Sequence, residues 1–236
     1  MKNKKAQDRV YILAGYTPWS KDVFNKRIVK YPGRWYLISE PSELTESSLK
    51  RINPQYIFFL HWSWKVPKNI IENYKCVCFH MTDVPYGRGG TPLQNLIIRG
   101  HRATKLTALK MGEEFDAGPV YLKRPLSLEG RAEEVYIRAS NLSAEMILNI
   151  IKNNPTPKKQ KGRVVVFKRR KPEESEIPEC KNIQKLYDFI RMLDADEYPM
   201  AFINYKGFVF EFSRSALDRD RILCNVIIKK FNKKSK

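Results

Sequence analysis

His80 and Asp116 are the side chains of this sequence with the chemistry and the setting to move a proton. Residues 76–79 form a short apolar run that delivers His80 into a turn rich in proline and glycine, and residues 107–111 precede Asp116 in a second turn. Both positions are predicted just beyond the C-terminal ends of strands, where side chains of an open α/β sheet converge on a ligand. A carboxylate beside an imidazole orients the ring and stabilises its protonated form, which suits acid–base work near neutral pH. The same spacing suits a hydrogen-bonded structural histidine, so the surrounding residues must decide between the two.

Those residues form alternating strands and helices. Residues 9–15 read as a strand ending in a glycine turn, with a helix over 22–30; residues 35–39 and 43–52 repeat the unit. Residues 56–60, YIFFL, are uninterrupted apolar sequence, as a central strand covered on both faces requires. The loop after it, residues 61–67 (HWSWKVP), is predicted at the same edge as His80, and its tryptophans suit core packing or the wall of a flat-ring pocket. No G-x-G-x-x-G follows the first strand, so a dinucleotide fingerprint is absent. Thr91 and Pro92 open a short helix that Gly100 ends. Residues 129–152 read as a long amphipathic helix with Val135, Leu142, Met146 and Ile150 near one face.

At residue 153 the composition shifts to a polar, proline-containing and basic connector. Arg169 and Arg170 follow it; guanidinium forks suit phosphate oxygens, and two solvated loop arginines fit as well. Residues 182–217 read as a helix and a hairpin.

At 236 residues the chain holds one good core and a small appendage. No apolar run is long enough to span a bilayer, and the start runs directly into a strand rather than a signal peptide, so a cytoplasmic protein is expected. Cys76 and Cys78 are expected as buried thiols on opposite faces of their strand, not as a chelating pair, and no metal is expected. The net charge of +19 is concentrated in residues 2–5, 158–171 and 229–236. Such a balance suits a polyanion, a nucleotide diphosphate or a membrane surface, or a merely solvated exterior.

His80, the loop Thr82-Asp83-Val84-Pro85, Arg88-Gly89-Gly90, Pro92, Gly100 and Asp116-Ala117-Gly118-Pro119 occur in the order of a known signature. The chain resembles the formyltransferase family that uses 10-formyltetrahydrofolate, which includes methionyl-tRNA formyltransferase, glycinamide ribonucleotide transformylase and the sugar N-formyltransferases. The resemblance implies a Rossmann-like α/β fold, with an open, mostly parallel sheet, helices on both faces and a small C-terminal helix and β-hairpin. It implies a catalytic domain over residues 1–152, a basic connector and strand over 153–178 and an α+β extension over 179–236. His80, Asp116 and Cys78 take the catalytic positions. Ser63, Trp64, Lys65, Thr82, Asp83, Val84 and Phe115 take those against the folate, and Arg88, Gly90, Thr91, Gln94, Arg169 and Arg170 those against the acceptor. The family has Asn where this chain has Cys78.

An amine attacking a formyl carbon builds negative charge on the oxygen, which needs a donor, and the amine must lose a proton. His80 is expected to serve one of these needs, while a thiol at Cys78 is a weak donor in place of the Asn. The segments Ile190 to Leu193 and Tyr198 to Phe202 resemble the sugar N-formyltransferases. The expected acceptor is therefore a nucleotide-linked amino sugar of the 4-amino-4,6-dideoxy type, as on the pseudaminic acid route of bacterial surface glycans. A homodimer is expected by the same resemblance, and nucleic acid is not the expected partner. The alternatives are methionyl-tRNA as acceptor, hydrolysis of the formyl donor, and a basic nucleotide or nucleic-acid binding protein without catalysis.

Overall fold

Strands β1 (Val10–Ala14) and β3 (Tyr56–Phe59) are buried at every position, and β2 (Arg34–Ile38) is buried mainly at its end. That difference sets their order: strands apolar on both faces take the middle of a parallel sheet, and an alternating strand takes its edge. In the structure, a computed structural model, residues 9–196 and 198–230 are described. The basic run at residues 2–5 and the tail at 231–236 lie outside them.

The six-stranded sheet has the order β2-β1-β3-β4-β6-β7, with β4 at Cys76–His80, β6 at Ala103–Lys110 and β7 at Val120–Ser127. Strands β2, β1, β3 and β4 are mutually parallel, whereas β6 is antiparallel to β4. Helices α1 (Pro18–Lys26), α2 (Glu46–Ile52) and α3 (Lys68–Asn73) make the crossovers, the first two opened by side-chain caps from Thr17 and Thr45. The first strand-to-helix turn is tight: a Cβ on Gly15 would lie 2.9 Å from both the Leu60 carbonyl oxygen and the Ser20 Cβ. Ile12, Leu49, Ile57 and Ile70 pack in one cluster on the sheet, each fully buried or nearly so, and each such side chain stabilises the fold by about 1.5–3 kcal/mol.

Two compact units share the chain. The first holds the described residues through Arg88, Lys105–Leu126 and Ile137–Val166; the second holds Gly89–Thr104, Ser127–Tyr136 and the described residues from Phe167 onward. The long helix α5 (Ala132–Asn153) matches the amphipathic stretch read from the sequence. A short ribbon pairs β5 (Tyr86–Gly89) with β8 (Val165–Phe167). The second unit has α4 (Pro92–Ile98), α6 (Ile183–Arg191) and an antiparallel sheet β11-β10-β9, of which β9 is Ala201–Tyr205, β10 Phe208–Asp218 and β11 Arg221–Lys230. The C-terminal extension thus has three strands where a hairpin is expected.

Candidate active site

His80 closes β4 at 8% exposure, and its Nδ1 lies 3.4 Å from Asp116 Oδ1. Across the ring, Nε2 donates to the Gly87 carbonyl at 2.7 Å, and Thr82 Oγ1 donates to the same oxygen at 3.2 Å. Both ring nitrogens therefore face oxygen acceptors.

The two residues meet by a route other than the expected one. His80 pairs with Thr107 and Val77 with Lys110, so β6 ends at the far end of β4 from His80. Residues 111–119 instead run back along β4. Met111 N–H donates to the Cys76 carbonyl at 2.9 Å, and five residues later Asp116 is beside His80, about 13 Å further along the strand at roughly 3.3 Å per residue. Asp116 has φ +54°, a left-handed conformation that Asp tolerates better than most residues. A Cβ on Gly118 would fall 1.8 Å from the Lys110 carbonyl oxygen, so the turn passes only with glycine there.

Sequence reasoning missed Gln160, which it placed in the basic connector. Its Nε2 donates to the carbonyls of Asp116 at 2.7 Å and Gly118 at 2.9 Å. Its Oε1 accepts from Arg88 Nε at 3.1 Å and Nη2 at 2.8 Å. Arg88, expected to hold an acceptor, spends these two donors inside the protein. No spacing rule marks a glutamine that bonds to backbone 44 residues away.

Cys78 packs with Trp62 and Met111 against the core cluster that also holds Cys76. The two cysteines therefore share a face, as residues two apart in a strand must, which corrects their expected placement on opposite faces. Burial, and then the Asp116 carboxylate, push the Cys78 thiol well above its ordinary range. It is a neutral, weak hydrogen-bond donor and not a nucleophile.

The loop after β3 lies where expected. Tyr16 and Trp64 stack tilted at 4.5 Å, Trp62 meets Trp64 at 4.9 Å, and Tyr16 Oη is 2.9 Å from Ser63 Oγ. Trp64 is 40% exposed, Ser63 and Lys65 are exposed, and the buried Trp62 Nε1 has no partner among the described residues. An ion pair of 2.5 Å from Lys68 to Glu113 ties the following helix to the segment carrying Phe115, itself 75% exposed. A flat heteroaromatic ring with polar edges fits these surfaces, so the residues present suit a folate. Thr82 and Val84, expected against the folate, have fully buried side chains. Asp83 is held by Lys123 at 2.5 Å and Lys105 at 2.9 Å. Burial opposes its charge, but the two lysines outweigh that and hold its carboxyl below the ordinary range.

In the second unit most of the residues expected to contact the acceptor also make contacts within the protein. Gln94 is fully buried and donates to Tyr136 Oη and the Met192 carbonyl, both at 3.0 Å. Gly90 has the Arg169 Cβ 2.4 Å from where its own Cβ would stand. Thr91 occupies the N-terminal end of α4 at φ +45°, and its Oγ1 accepts from Arg170 N–H at 3.1 Å. Arg170 lies over the Phe189 ring at 5.6 Å and donates to the Glu174 carbonyl, whereas Arg169 is exposed. Among the described residues no three His, Cys, Asp or Glu side chains cluster as metal ligands. No helix there is long and apolar enough to cross a membrane.

The structure is a Rossmann-like α/β fold that sets His80 against Asp116 at the end of a parallel strand. Residues 172–229 match the profile of the methionyl-tRNA formyltransferase C-terminal domain. A solved methionyl-tRNA formyltransferase from Clostridium thermocellum is 44% identical, with TM-score 0.89 over 94% of this chain and 99% of that one. The methionyl-tRNA formyltransferase of Rickettsia felis is 30% identical over 70% of this chain and 56% of its own length, so the chain spans about half of that relative. A 4-N formyltransferase from Francisella tularensis is 15% identical, with TM-score 0.64 over 85% of this chain and 94% of that one, a likeness of fold alone.

The chain belongs to the formyltransferase family, enzymes that move a formyl group supplied by formyl-tetrahydrofolate. The motif expected to mark a sugar enzyme falls inside the segment that matches the methionyl-tRNA formyltransferase domain. Its first part, Ile190 to Leu193, is core: Arg191, 1% exposed, donates to Asp188 at 2.7 Å and to the carbonyls of Leu128 and Gly130 at 2.6 and 2.8 Å. The Ile190 to Leu193 part of the motif seats α6.

Proposed function

We propose that this chain transfers the formyl group of 10-formyltetrahydrofolate to the amine of methionyl-tRNA. The observation that carries the reading is 44% identity extending over 94% of the chain, the C-terminal unit included. The net charge of +19 supports it, with Lys158, Lys159, Lys161, Arg163, Lys168 and Arg169 all exposed, since a basic surface attracts a polyanionic acceptor.

The donor supplies an activated formyl carbon; transfer forms a bond from the acceptor nitrogen, breaks the bond to the folate nitrogen and moves one proton between them. The His80 ring, set beside Asp116, stands where negative charge develops on the formyl oxygen. Asp116 stabilises that ring and fixes its plane, while the loop over residues 61–67 walls the site from water.

The test is release of tetrahydrofolate from the donor with methionyl-tRNA, uncharged tRNA and a panel of nucleotide-linked amino sugars. Turnover with methionyl-tRNA alone, falling steeply with salt, is expected. Turnover only with an amino sugar would overturn the tRNA reading.

A further inference from the structure

Nothing in the strand order places Asp116 at His80; its position depends on the path of residues 111–119. We propose that Gln160 is the positioning residue that holds this path, with Arg88 fixing the orientation of its amide. Both N–H bonds of the amide are used, on the carbonyls of Asp116 and Gly118. Its oxygen takes two donors of the Arg88 fork. A flipped amide would set oxygen against two carbonyls and NH2 against a guanidinium, so one orientation is enforced. The guanidinium also polarises the amide and strengthens the N–H bonds that hold the turn. The residue the amide grips is the one in the left-handed conformation, with its carboxylate 3.4 Å from the ring.

The kinetic part of the test rests on formyl transfer, and the exchange part does not. Amide hydrogen exchange over residues 112–119 is compared in the full chain and in the variants Gln160→Ala and Gln160→Glu. Glutamate keeps the volume and an acceptor for Arg88 but turns an oxygen toward the two carbonyls. Both variants are expected to speed exchange in that segment about tenfold while other segments stay protected. Both are expected to lower kcat about 10- to 100-fold, with KM for the formyl donor within about twofold, as misplacement of a catalytic group does. In an Asp116→Asn background the Gln160→Ala change should add less than about twofold, because it acts through Asp116. Losses that multiply in the double variant, or unchanged exchange in residues 112–119, overturn the proposal. A wild-type chain without formyl transfer would sink the functional reading, and the exchange result alone would then decide whether Gln160 holds the turn.

Discussion

His61 lies two residues beyond β3, and His80 is the last residue of its parallel neighbour β4. Phe59 pairs with Cys78 at the end of that register, and His61 follows at φ +51°, where the chain leaves the strand. Their surroundings are opposite. His61 meets Trp19 edge-on at 5.9 Å with its Nε2 3.0 Å from Ser140 Oγ, and loss of hydration pushes its pKa down to about 3. His80 instead faces a carboxylate and a carbonyl. Residue type is shared and both lie near the C-terminal edge of parallel neighbours, so what separates the two rings is their surroundings.

The contrast breaks most sharply at His80 itself. His80→Ala is expected to lower kcat with methionyl-tRNA on the order of 10³-fold, within the usual range for an acid–base group. A variant keeping a tenth of the activity in steady-state assays would remove His80 from the mechanism. Asp116→Asn keeps the shape and removes the charge, and a loss of about 10²-fold in kcat is expected with donor KM little changed. If KM rises instead, Asp116 serves binding rather than the ring. Cys78→Asn supplies an amide where the thiol is a weak donor, and kcat is expected to rise about tenfold, part of what one oxyanion donor is worth. An unchanged rate would mean that the formyl oxygen has its donor elsewhere.

Much of this arrangement was legible in the sequence because it depends on local rules. Apolar runs gave β1, β3 and β4, the Thr91-Pro92 and Gly100 signals bounded α4, and the ordered motif around His80 pointed to the family. Illegible were the features set by distant contacts. The antiparallel direction of β6 follows from its pairing with β4, which periodicity does not encode, and so the return path of residues 111–119 was missed. Gln160 sits in a stretch whose composition reads as connector, yet two of its bonds reach backbone across the site. The Ile190 to Leu193 motif differs: its buried arginine bonds Asp188 and two carbonyls, a packing role that its sequence does not announce. A motif identifies chemistry only where its polar groups keep capacity for a ligand, and that is a property of burial.

The smallest expected effect tests the other half of the comparison. An unfolded histidine titrates near 6.5, and His61 in the fold near 3. Between those values the unfolded chain binds a proton that the folded chain refuses. The contribution of His61 to stability is therefore complete above about pH 6.5 and is lost as pH falls toward 3, by up to about 1.4 kcal/mol per pH unit. Thermal melting from pH 7.5 to 4.5 should thus fall more steeply in the wild type than in His61→Gln, whose side chain cannot take the proton. The carboxylates contribute alike to both curves, so the difference in slope isolates this ring. Equal slopes would mean that His61 is charged or hydrated in the fold, and the two histidines would then differ by less than their neighbours imply.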